Sequence, residues 1–284
     1  MFAKIGTFHF GKDHSNPFGE LRTVLEKTNQ TELESGKGPI AGSLFVLPEA
    51  FNIRKQYRGT KSHSHIYPDD PCCLRGIAKE FGVAFVVGLV LEQGFGLLPR
   101  YSSAYLIDAS SHILMCHKTC KDNFEGTGNN DTKRNYVACE VAECDVQNPY
   151  VYEIEEIVIG ALVCVDAHPP CGSNGPYKSQ GLAAPSPEDE RRKRVMTCMD
   201  KSDKKCKIVC VPACISNDFW GGQVGQSIEF PCSNKIVVLA NSEPHGVKSF
   251  ITNESGRILD SVGDDENRVV IRPLKRNEQG TYTC

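Results

Sequence analysis

Several stretches of this chain are apolar at nearly every position and rich in β-branched residues, and each ends abruptly. They span residues 43–47, 83–91, 157–165, 207–212 and 236–240, and the first and third run into Pro48 and into Ala167-His168-Pro169-Pro170. A strand that alternates apolar and polar residues turns one face to water. A continuous apolar strand needs cover on both faces, which helices supply in α/β folds. The breaks at proline fix where such strands must end.

The intervening segments fit that expectation. Asn16-Pro17 reads as a helix cap with Pro at the first helical position, followed by Phe18, Leu21, Val24 and Leu25 at helical spacing. A second helix starts at Asp70, with Leu74, Ile77, Ala78 and Phe81 on one face. Further strands are expected over 4–10, 104–107, 112–116, 249–252 and 269–271. Residues 121–150 read as a polar excursion containing a loop. Residues 171–206 read as a loop followed by a charged helical segment from Pro187. With no internal repeat and no long linker, residues 1–284 are expected to form one domain.

Composition narrows the function. The 284 residues carry a formal charge of -3, which gives no electrostatic reason to expect nucleic acid, whose binders usually carry a concentrated basic face. No apolar run approaches the roughly 20 residues needed to cross a bilayer. The start, Met1-Phe2-Ala3-Lys4-Ile5-Gly6, leads into a strand and not into a cleavable signal peptide. On that basis the 14 cysteines are expected to be free thiols and the protein cytoplasmic. Sequons at Asn29, Asn130 and Asn253 would matter only in the secretory pathway.

Three expected strands end in reactive groups: Glu49 after Leu47-Pro48, Lys118 after Cys116-His117, and Cys164 after Leu162-Val163. Singly, each has an ordinary reading as a turn carboxylate, a surface amine or a core thiol. Together they form a working set. A free thiol of pKa about 8.5 is only a few per cent ionised at neutral pH, so it needs a base or a cation nearby. A carboxylate can take its proton and later give one to a leaving amine. An ammonium can stabilise both a thiolate and a tetrahedral oxyanion.

These residues resemble the nitrilase, or carbon–nitrogen hydrolase, superfamily, in its amidase-like branch, over nearly the whole chain. The resemblance runs through Ala3-Lys4-Ile5-Gly6, Leu47-Pro48-Glu49-Ala50-Phe51, Tyr101-Ser102-Ser103-Ala104 and Leu106-Ile107-Asp108. It continues through His117-Lys118-Thr119, Cys164-Val165-Asp166, Val211-Pro212-Ala213, Cys232-Ser233-Asn234, Ala240-Asn241 and a turn at residues 255–259. It implies an α/β fold of four layers, an αββα sandwich, with a Glu-Lys-Cys triad of Glu49, Lys118 and Cys164. Glu49 would be the general base and acid, and Cys164 the nucleophile that carries a thioester. Lys118 and the backbone N–H of Val165 would hold the oxyanion. Glu125 matches a second glutamate that orients the lysine or the substrate, and reads equally well as a loop carboxylate.

The chain also departs from the family pattern. His168 stands where many amidases of the family carry arginine, and the glutamate that follows there is absent. A mostly neutral imidazole is no clamp for a substrate carboxylate, which leaves the substrate class open. Val165-Asp166 replaces the Trp-Glu of true nitrilases and favours amides over nitriles. Ser102 replaces an asparagine, read as a local hydrogen-bond adjustment in packing. Trp220 either walls the substrate pocket or packs in the core.

Cys206, Cys210 and Cys214 lack the paired spacing of a zinc site, and Ser62-His63-Ser64-His65 is assigned to solvent or to the pocket rim, so no metal is expected. The run 188–194 alternates charge blocks as a solvated helix does. The reading is a hydrolase of a small amide or carbamoyl compound that needs only water and no cofactor. By family analogy it assembles as a homodimer or larger, with the apolar strands near the C-terminal end as contact surfaces. Three alternatives share the fold: a catalytically silent binding or scaffold subunit, a nitrilase, and an acyltransferase.

Overall fold

The structure is a computed structural model that describes residues 3–10, 16–49, 51, 70–92, 100–118, 136–137, 151–154, 157–167, 206–214, 224–225, 227, 234–242, 248–263, 267–276 and 282–283. In chain order its elements are β1 (Lys4–His9), α1 (Pro17–Glu34), β2 (Ser43–Leu47), α2 (Asp70–Phe81), β3 (Ala84–Glu92), β4 (Arg100–Ile107), β5 (His112–His117), β6 (Tyr136–Val137) and β7 (Val151–Ile154). There follow β8 (Ile157–Ala161), a 3-10 turn (Cys164–Ala167), β9 (Ile208–Ala213), β10 (Ile236–Asn241), β11 (Ser249–Thr252), β12 (Ile258–Val262), β13 (Arg268–Pro273), β14 (Lys275–Arg276) and β15 (Tyr282–Thr283).

Among the described residues two large sheets form the body of the fold, and β14 pairs with β15 in a small third one. The first runs β13-β1-β2-β3-β4-β5, with β6 paired to β4 beyond the end of β5, and the second runs β12-β11-β10-β9-β8-β7. Between them lies an apolar core of Ile5, Val46, Val86 and Leu106 from the first sheet against Ile159, Val209, Val238 and Phe250 from the second. The other face of the first sheet presents Phe8, Phe45, Phe85 and Leu89 to Leu21 and Leu25 of α1 and to Leu74 and Ile77 of α2. Each fully buried side chain of this size contributes about 1.5–3 kcal/mol, so burial and not strand propensity sets the architecture. Every residue of β9 and β10 is buried, on both faces, so the outer face of the second sheet is covered as well.

The helix starts follow the local signals. The Asn16 side chain accepts the Gly19 N–H at 3.0 Å, a cap worth about 1 kcal/mol, with Pro17 at the first helical position. α1 is also tied to the sheet: Lys4 Nζ lies 2.9 Å from Glu32 Oε2 and donates to the Gly38 carbonyl at 2.8 Å, both charged groups being nearly out of solvent. Among the described residues, no helix is long and apolar enough to cross a membrane.

Strand direction decides what the sandwich can do. β1, β2 and β3 are parallel, and two antiparallel steps through β4 return β5 to the same direction. In the second sheet β8, β9 and β10 are parallel. Among the hydrogen bonds that join the sheets at their carboxyl ends are Phe10 N to Asn241 O (3.3 Å), Ser249 Oγ to Phe8 O (3.0 Å), Glu49 N to Ala213 O (3.3 Å), and the Cys116 thiol to Ala161 O (3.4 Å). Seven strands therefore end along one edge. Ligand sites of α/β sheets form outside such an edge, because chain leaving several strands there can converge without disturbing the core.

Two expectations change. The strand expected over 157–165 stops at Ala161, and Cys164 opens the 3-10 turn. Leu162 and Val163 remain fully buried because the turn itself is packed into the core, where the Leu162 N–H donates to the Cys210 carbonyl at 3.0 Å. An apolar run thus reports burial and not strand length. Residues 258–259, expected within a turn, instead begin β12, which pairs with β11. The expected features at Glu125, His168 and Trp220, the charged segment from Pro187, and the histidine tract at 63–65 lie outside the described residues.

Candidate active site

Glu49 follows β2 and Pro48, and its backbone is clamped from two sides. Its N–H donates to Ala213 O. The Gly88 N–H donates to Pro48 O at 3.3 Å, and the Phe51 N–H donates back to Gly88 O at 3.0 Å. The clamp needs a glycine. A Cβ on Gly88 would stand 2.5 Å from Glu49 Cα and 3.0 Å from Pro212 Cβ, closer than packed carbons come. Gly88→Ala is expected to lower stability by about 1–3 kcal/mol, because backbone has to move to admit one methyl. Urea denaturation measures it, and an unchanged midpoint would mean that the Glu49 segment is not held as tightly as described.

Lys118 extends β5 by one residue, and a bulge aims it. The hairpin turn between β4 and β5 is pinned by Asp108, whose Oδ1 accepts the N–H and hydroxyl groups of Ser110 and Ser111. Burial pushes the Asp108 carboxyl up, but these hydrogen bonds outweigh it and hold the carboxyl below its usual range. From the turn outward, Ile107 pairs with His112 and Tyr105 with Leu114. The register then slips so that Ala104 pairs with Cys116 and Ser103 with His117. Residues opposite each other in an antiparallel pair share a face, and an extra residue moves every later side chain to the other face. Without the slip His117 would stand opposite Ser102. With it, Lys118 does, and the Lys118 N–H donates to Ser102 O at 2.8 Å.

The result is a buried ion pair at the carboxyl edge. Lys118 Nζ lies 3.1 Å from Glu49 Oε1, with the two side chains 1% and 5% exposed. The Ser102 hydroxyl, 1% exposed, donates to the same oxygen at 2.7 Å. Ser102, expected to adjust packing, instead bonds the carboxylate of Glu49. Its local signal was a single substitution in the Tyr-Asn-Ser segment, and only the alignment of β2 beside β3 and β4 gives that substitution a partner.

Cys164 comes from the second sheet. It is 3% exposed and has φ of +50°, the left-handed region that a non-glycine residue enters at a cost of about 1–3 kcal/mol. The Cys116–Ala161 contact joins the ends of β5 and β8, two residues before Lys118 and three before Cys164. Cys164 belongs to the same buried cluster as Ala104, Cys116, Ala161 and Ala213. Val165 lies in the 3-10 turn that Cys164 opens, and the Asp166 N–H closes that turn on Val163 O at 3.0 Å.

Cys116, Cys164, Cys206 and Cys210 are buried, Cys214 is half-buried and Cys73 is exposed. Burial, then the neighbouring Cys206, push the Cys210 thiol far above its ordinary range, which favours its protonated form. Among the described residues no group of three or more His, Cys, Asp or Glu side chains is placed to hold a metal ion.

No protein-family profile matches the sequence, and no curated protein matches it. Solved structures do. A cysteine-to-serine mutant of the Nesterenkonia AN1 amidase from the nitrilase superfamily superposes with a TM-score of 0.63 at 16% identity, covering 96% of this chain and 92% of that one. A glutamate-to-glutamine mutant of the amidase from Nesterenkonia sp. AN1, showing Michael addition of acrylamide at the active site cysteine, gives 0.58 at 17%, covering 96% and 93%. A cysteine-to-alanine mutant of that amidase in complex with butyramide gives 0.59 at 16%, covering 96% and 90%. The likeness is one of fold: the chain has the αββα sandwich of the nitrilase-superfamily amidases.

Proposed function

We propose that residues 1–284 form one carbon–nitrogen hydrolase domain that cleaves a small amide or carbamoyl compound through a thioester on Cys164. The observation that carries this reading is the buried Lys118–Glu49 pair at 3.1 Å, on the edge where Cys164 leaves β8 in a strained turn. An ion pair taken out of water is costly, and unlike Lys4–Glu32, which ties a helix to the sheet, Lys118–Glu49 stands on the edge where seven strands end. Chemistry gives a reason for a pair there, since a thiol needs a nearby base and a cation.

Glu49 takes the proton of the Cys164 thiol as Sγ attacks the amide carbon. The tetrahedral oxyanion is held by the Lys118 ammonium and the Val165 N–H. A left-handed residue leading into a helical turn presents successive N–H groups to one side, the concavity that binds anions elsewhere. Glu49 then gives its proton to the leaving nitrogen, the C–N bond breaks, and ammonia or an amine departs. Water enters, Glu49 takes one of its protons, and the resulting hydroxide attacks the thioester carbon. The C–S bond breaks, Glu49 returns the proton to sulfur, and the carboxylic acid leaves. Atoms and protons balance without a cofactor. In this reading Glu125 orients Lys118 or the substrate, and His168 and Trp220 line the pocket.

Acrylamide and butyramide occupy the structural relatives, and both lack charge, which agrees with the missing arginine clamp after Cys164. The cytoplasmic setting and a homodimer or larger assembly belong to the same reading. The test is ammonia release from butyramide, acrylamide, carbamoyl compounds and the matching nitriles. Release from the amides, exceeding that from the nitriles, is expected. No release from any of them, with ordinary folding, would leave the silent-subunit alternative standing.

A further inference from the structure

Two donors from adjacent strands meet on one oxygen of Glu49. Ser102 Oγ on β4 reaches Oε1 at 2.7 Å, and Lys118 Nζ beyond β5 reaches the same atom at 3.1 Å. The terminal torsion of a glutamate is broad, so a single ion pair lets the carboxylate swing. A second donor on the same atom from a different direction stops that rotation. Ser102 is suited to this because it is rooted in a strand paired on both sides, with β3 and β5, and is out of solvent. A hydroxyl has a single proton to give, and Ser102 gives it to Glu49. Its neighbour Ser103 bonds His117 Nδ1 at 2.7 Å, so the two adjacent serines serve opposite faces of the sheet.

The geometry points to Ser102 as a positioning residue that acts through Glu49. With Oε1 fixed by Ser102 and Lys118, Oε2 is the oxygen turned toward the Cys164 proton and, in the second half-reaction, toward water. The role rests on the Glu-Lys-Cys reading above. It goes beyond that reading by dividing the two carboxylate oxygens between anchoring and proton transfer. It also gives the serine at this position a task that a packing role lacks.

Steady-state ammonia release from butyramide, or from the fastest amide of the screen, tests it in the full-length protein. Ser102→Ala should lower kcat about tenfold to a hundredfold, the cost of a base misplaced by a fraction of an ångström to about an ångström. KM should stay within about twofold, since proton transfer and not binding is disturbed. Ser102→Thr keeps the hydroxyl and should hold kcat within about fivefold, whereas Ser102→Val, of the same shape but without the donor, should fall with alanine. Thermal midpoints of the Thr and Val variants should agree within about 3 °C, so that the hydroxyl is the only difference read. Wild-type kcat in Ser102→Ala, or equal losses in Thr and Val, would overturn the role. If wild type releases ammonia and Cys164→Ala does not, such a result removes only Ser102. If wild type itself releases none, the hydrolase reading falls, and the role of Ser102 falls with it.

Discussion

Replacing Cys164 with alanine should abolish ammonia release, lowering kcat by about 10⁴-fold or more, while the fold stays intact. The size follows from the chemistry. Without sulfur there is no covalent intermediate, and what remains is binding and oxyanion stabilisation alone. The fold should survive because the lost atom sits in a turn whose neighbours Leu162, Val163 and Ala167 carry the packing. Alanine at φ +50° keeps the strain and adds none. The same residue should dominate alkylation by iodoacetamide at pH 6–7, because the base and cation that serve its attack on substrate serve its attack on the reagent as well. Cys73 is exposed and Cys210 is buried with its protonated form favoured, so they bracket the two ordinary outcomes for a thiol in this protein. Mass spectrometry of peptides after brief labelling reads the order. If Cys73 labels first and Cys164 no faster than Cys210, Cys164 is core filler.

The second large effect concerns the ion pair, and it separates catalysis from stability. Glu49→Gln takes from Lys118 the carboxylate 3.1 Å away, and Lys118→Met takes from the buried Glu49 carboxylate its cation, each a loss of about 3–5 kcal/mol. In a chain of this size that is a fall of about 10 °C in thermal midpoint. Both should be nearly inactive, Glu49→Gln because no base remains and Lys118→Met because the oxyanion loses its cation. The double variant removes both charges together, and it should regain most of the lost midpoint while remaining inactive. That combination, a restored fold without turnover, is what a catalytic pair predicts. A double variant that regains activity, or single variants with unchanged midpoints, would show that the 3.1 Å contact carries neither role.

How far the sequence could be read follows from the range of each signal. Both helix starts, at Pro17 and Asp70, and all of β11 fall where spacing and caps place them, because those signals act within one or two turns of chain. The order Glu, Lys, Cys was likewise visible, each residue next to a strand end. The end of β8 was not. Leu162 and Val163 are as buried as any strand residue, and burial cannot tell a strand from a turn wedged between sheets. In the tail, β13 lies where its apolar residues place it, while β12 begins inside a segment whose residues suggest a turn.

Apolar runs, breakers and caps therefore dictated the elements and the layers, since each needs only its own neighbours to be favourable. Side-chain direction at the site belonged to the tertiary structure. One extra residue in β5 turns Lys118 toward Glu49 in place of His117, and the meeting of β2 with β9 and of β5 with β8 sets which strand ends face each other. A register slip costs a strand little locally, and nothing in residues 112–118 announces it. It is chosen by the pairing partner and by what the facing sheet will accept, both of which lie far away in the chain.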